Sequence, residues 1–104
     1  MVEMEWPQLS GTELQYSDHS WELTGTVDVG PTGDVLGAEA KQVDDVRQRN
    51  ATLRFGLQDG APSLNPGEMG SHFDRIEQAG ATKHLVVKTD TRTYRYRLHG
   101  LEYR

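Results

Sequence analysis

Late in the sequence arginines and tyrosines alternate: Tyr94, Arg95, Tyr96 and Arg97, then Tyr103 and Arg104. Surfaces that bind single-stranded nucleic acid use this pair of side chains, with guanidinium groups on phosphates and aromatic rings stacked on bases. Strand geometry separates the two, because successive side chains of an extended chain point to opposite faces. The tyrosines therefore belong to the core, and a basic stripe is left outside. If 83–88 and 92–98 pair as a hairpin with Asp90-Thr91 as its loop, Val87 faces Tyr94, Leu85 faces Tyr96 and Lys83 faces Leu98 on one surface. The other surface then carries Lys88, Thr93, Val86, Arg95, His84 and Arg97. Lys88, Arg95, Arg97 and His84 are the expected binding residues, contacting phosphates of RNA or single-stranded DNA with little sequence preference. About three such contacts imply a log-affinity against log-salt slope near −2 on a single strand.

Other chemistries find less support. His19, His72, His84 and His99 show no spacing that would fix two metal ligands on one element, and Glu68 with His72 offers only a pair four residues apart. No metal site is expected from them. Asp44 and Asp45 are neighbours, which a strand would send to opposite faces, whereas a paired acid and base must converge. Ser10, Ser63 and Ser71 lack the Gly-x-Ser-x-Gly context of an activated nucleophile. Gly67-Glu68-Met69-Gly70 has neither the lysine nor the preceding strand of a phosphate loop. The absence of cysteine excludes disulfides, thiolate zinc sites, iron–sulfur clusters and thiol nucleophiles.

The expectation is thus a non-catalytic binding or interaction module with no cofactor, its partner another protein or a second copy of the chain, with nucleic acid on the basic stripe as a further candidate. Its rival is a small-ligand-binding protein or enzyme whose pocket gathers scattered histidines and carboxylates. A pocket joining His72 or His84 to a carboxylate would mark the rival, and a flat basic sheet face would mark the binding module.

Charge is unevenly distributed. The chain of 104 residues has a net charge of −5, with 14 acids against 5 bases in residues 1–82 and 6 bases against 2 acids in 83–104. Opposite-signed segments neutralise one another within a fold or between copies, and the last strand, read as an open edge, suggests a homodimer. No apolar run approaches the roughly 18 residues of a membrane span, and Glu3 and Glu5 stand where a signal peptide would be basic, so a cytoplasmic protein is expected.

The elements that must position the stripe follow from periodicity. Residues 1–20 mix apolar side chains with Pro7 and Gly11, and read as an irregular arm or one short edge strand. Trp21, Leu23, Gly25, Val27 and Val29 alternate with polar residues, marking a strand closed by the turn formers of 30–34. In 35–49, Leu36, Ala40, Val43 and Val46 have near-helical spacing, but a strand is favoured because 21–29 needs an antiparallel neighbour. Leu53, Phe55 and Leu57 mark another strand.

Asn65, Pro66 and Glu68 resemble a capped helix start, and Met69, Phe73, Ile76 and Gly80 continue at helical intervals. The spacing predicts a helix over 66–79. One domain of α+β class is expected, with a mainly antiparallel sheet of about five strands packed on that helix; the alternative is a small, partly open barrel with the helix plugging one end. The expected core is Trp21, Leu23, Val27, Leu53, Phe55, Leu57, Phe73, Ile76, Leu85, Val87, Tyr94, Tyr96 and Leu98.

Overall fold

The computed structural model describes residues 2–31, 35–57, 72–79 and 82–104. Its strands are β1 (Val2–Glu5), β2 (Glu13–Tyr16), β3 (His19–Val29), β4 (Val35–Gln42), β5 (Asn50–Leu57), β6 (His72–Ala79), β7 (Thr82–Lys88) and β8 (Thr93–Tyr103), with a 3-10 turn at Pro7–Leu9. All pair antiparallel in one sheet, in the order β1-β3-β4-β5-β8-β7-β6, and β2 also pairs with β3. The sheet curls into a nearly closed all-β barrel, so the expected α+β class is overturned. Among the described residues no helix packs on the sheet, and none is long and apolar enough to cross a membrane.

The predicted helix over 66–79 fails for a physical reason. Its described part, 72–79, is strand β6, while Asn65, Pro66, Glu68 and Met69 lie outside the described residues. Phe73 pairs with Val87 and Ile76 with Leu85, so three residues of β6 span two of β7, the extra residue being accommodated by a bulge at Asp74. A bulge inserts one unpaired residue and thereby shifts the side-chain period. The three-residue step from Phe73 to Ile76, read as helical, is a two-residue ladder step with one insertion.

Residues 2–16 form two strands joined through a 3-10 turn, neither an irregular arm nor a single edge strand. β1 lies against Thr26–Val29 and β2 against His19–Glu22, both on the same strand β3, and the 3-10 turn sits between them. There β3 bulges: Leu23 pairs with Ala40 and Val27 with Ala38, leaving two extra residues on β3. Gly25, at φ +95°, absorbs this bend, and its carbonyl accepts the Trp6 N–H at 2.6 Å. Two extra residues preserve parity, so the alternation from Trp21 to Val29 survives the irregularity. The turn also packs against β6, the far end of the sheet, which brings the two ends of the barrel together.

The barrel interior is filled with Trp21, Tyr96, Phe55, Leu9, Leu23, Leu53 and Leu85, all essentially without solvent contact. Most of the expected core is there; Leu57 and Ile76 pack at its margin, and Phe73's side chain is outside the description. Trp6, Leu9, Leu14, Val35, Ala38, Ala40 and Ala51 join it unpredicted. The near-helical spacing of 35–49 resolves as strand β4 plus a loop. The last strand is no open edge either: β8 lies between β5 and β7, which removes the motive for dimerisation through it.

Candidate functional site

The β7–β8 hairpin has the register its alternation predicts. Val87 pairs with Tyr94, Leu85 with Tyr96, Val86 with Arg95, His84 with Arg97 and Lys88 with Thr93. Its loop is Asp90-Thr91, a pair lacking the usual glycine; neither residue takes a positive φ. Thr89 provides the missing support, since its hydroxyl oxygen accepts the N–H groups of Thr91 (3.3 Å) and Arg92 (3.0 Å) while its own N–H donates to the Arg92 carbonyl. Tyr94, Tyr96 and Leu98 sink into the core, leaving Arg95 and Arg97 exposed and Lys88 half-buried on the outer face.

β6 completes that face and changes its charge. The bulge turns Asp74 and Arg75 toward the same neighbours: the Asp74 carboxylate pairs with Arg75 and lies 3.6 Å from Lys88 Nζ. The Glu77 carboxylate lies 3.1 Å from Arg75 and 3.9 Å from Arg95. Among the described residues Arg92 and Arg97 meet no carboxylate. His84 lies between Glu77 and Arg97 in the ladder, yet it is only 6% exposed and among the described residues neither ring nitrogen has a hydrogen-bond partner. It lies beneath the stripe instead of projecting from it.

A second cluster, invisible in the sequence, lies across the strands at the other end of the sheet. Glu3, Asp28, Gly37, Arg54 and Gly100 form one row over β1, β3, β4, β5 and β8. Gly37 is the gap in that row: a Cβ there would lie 2.7 Å from the Thr52 methyl and 3.0 Å from the Leu53 carbonyl oxygen. Across it the Arg54 guanidinium reaches Asp28 at 3.5 Å, and on the β8 side it meets Glu102 at 2.6 Å. Glu39, also buried, accepts the Thr52 hydroxyl at 3.0 Å and pairs with Arg104. Carboxylate oxygens of Glu3, Asp28 and Glu39 lie within 4.8 Å of one another beside a cleft of about 280 Å³. Such a spacing suits a hard cation, but each carboxylate already faces a guanidinium, which satisfies the buried charge. Only the polar side of 22–28 was legible beforehand, because its partners come from distant strands.

The remaining titratable candidates separate. His19 bonds the Gln42 side chain at 3.0 Å and lies 3.4 Å from Asp44, and His99 is exposed at a bulge of β8. The side chain of His72 is outside the description. Asp44 and Asp45 stand in the β4–β5 loop, not on a strand, and diverge toward His19 and Arg47. Arg47's side chain and backbone N–H hold the Asp45 carboxyl below its ordinary value, and Asp45 in turn raises Arg47. For Asp44 partial desolvation acts upward, but hydrogen bonds from Ser20, Gln42 and His19 prevail and lower it.

Comparison with known proteins finds no matching family model, no matching curated protein and no matching solved structure.

Proposed function

We propose that this protein is a non-catalytic binding module that holds the phosphates of RNA or single-stranded DNA on the outer face of β7–β8, through Arg95, Arg97 and Lys88. The observation that carries the reading is the hairpin register: with Tyr94 and Tyr96 committed to the core, three cations share one outward face of a rigid sheet. Side chains two apart on a strand repeat about every 6.8 Å, so the arginines form an evenly spaced row suited to a linear polyanion. With Tyr94 and Tyr96 buried and the exposed Tyr103 at the far end of β8, this face offers no stacking ring and recognition is electrostatic, which implies weak sequence preference and strong salt dependence. The rival reading needs a pocket joining His72 or His84 to a carboxylate; His84 neighbours Glu77, but its nitrogens are shielded from solvent, and the side chain of His72 is outside the described residues.

The test is fluorescence anisotropy with labelled single-stranded RNA and DNA oligonucleotides at low salt. Binding should fall log-linearly with salt and weaken on joint replacement of Arg95 and Arg97 by Gln. Absence of binding at low salt, or affinity unchanged in the double variant, rejects the reading.

A further inference from the structure

We infer that Asp74 and Glu77 of β6 determine the selectivity of this face, acting as built-in counter-anions that a linear polyphosphate can displace and an isolated phosphate cannot. The inference rests on the proposed phosphate-binding role of β7–β8. Asp74 and Glu77 stand where phosphate oxygens would stand, one beside Lys88 (3.6 Å) and one beside Arg95 (3.9 Å). They are held there as a unit, because the Arg75 guanidinium bonds Asp74 with one nitrogen and Glu77 with the other. The bulge is what makes this possible: without the extra residue, Asp74 and Arg75 would alternate to opposite faces of β6.

The charge pattern gives the mechanism. Lys88, Arg95 and Arg75 are already matched by acids of the same sheet face, while among the described residues Arg97 meets none. A lone phosphate meets one arginine, Arg97, beside cations that already hold acids. A strand that docks first on Arg97 presents its neighbouring phosphates to Arg95 and Lys88 at high effective concentration, and competes there with Glu77 and Asp74. These ion pairs are partly exposed and individually weak, so a multivalent ligand can break them. They also resist acidic protein surfaces and single anions, which is specificity by an opposing charge.

The experiment compares wild type, D74N/E77Q and a matched control, E13Q/E22Q, by anisotropy with a labelled single-stranded oligonucleotide. The control removes the same two charges from a facing pair on β2 and β3, away from the stripe. D74N/E77Q should tighten binding about threefold to tenfold at low salt, as expected for releasing two partly exposed ion pairs. Competition by inorganic phosphate should be stronger in D74N/E77Q than in wild type. Circular dichroism melts check that each variant is folded, and D74N or E77Q alone serves if the double variant is not. Wild-type binding that D74N/E77Q does not tighten, or that the control tightens equally, overturns the counter-anion role alone. No binding by any variant overturns the phosphate-binding reading and this inference together.

Discussion

At the residue scale, Gly25 shows how one position carries a whole closure. Its φ of +95° lies in the region that side-chain-bearing residues avoid, and a Cβ would stand 3.4 Å from both Ser10 Cβ and the Trp6 carbonyl oxygen. Gly25→Ala is expected to cost about 1–3 kcal/mol in urea unfolding, because strain at such a position is relieved only by moving the 3-10 turn off β3. A loss below about 0.5 kcal/mol would show that the bend does not depend on glycine. The sequence displayed Gly25 as one more member of an alternating strand; the partner that makes it special, the Trp6–Ser10 segment, was legible only as apolar residues around a proline.

At the element scale, the β4–β5 loop is organised by its own charges. The Arg47 N–H and guanidinium both donate to the Asp45 carboxylate, at 2.8 and 3.1 Å, and Gln48, at φ 47°, donates its N–H to the Asp45 carbonyl. Asp44 and Asp45 both have carboxyl values lowered from the ordinary 3.8. Depressed folded values mean that the ordering they provide is present above 3.8 and is lost as pH falls through the lower, folded-state titration. Amide chemical shifts of Arg47 and Gln48 are expected to hold down to that value and change below it. In D45N the transition should be absent and the loop amides should exchange faster at neutral pH; an unchanged titration would remove Asp45 from the account.

At the scale of the whole molecule, Arg54 couples strands that are not neighbours. It sits on β5, crosses β4 at Gly37 and pairs with Asp28 on β3, whose side chain is 7% exposed. Arg54→Met leaves that buried carboxylate without its cation and is expected to cost about 1–3 kcal/mol, less than for a fully buried pair because the guanidinium is partly solvated. The double variant R54M/D28N should recover most of the loss. A double-mutant cycle in denaturant measures the coupling, and strict additivity of the two losses would show that the pair contributes nothing.

Period-two alternation determined much by itself. It placed β3, β5, β7 and β8, sent Tyr94, Tyr96 and Leu98 inward, and set Lys88, Arg95 and Arg97 on a common outer face, because an extended backbone leaves each residue only two directions. It failed where one residue is inserted. At Asp74 the bulge turned a strand spacing into a helical one, and the same bulge delivers the acids that face the basic stripe. The acidic cluster of Glu3, Asp28 and Glu39, the burial of His84 and the closure through the 3-10 turn were decided by tertiary structure. Each depends on which distant strand lies alongside, and that pairing is chosen by the packing of the whole barrel around Trp21, Phe55 and Tyr96, which no local pattern encodes.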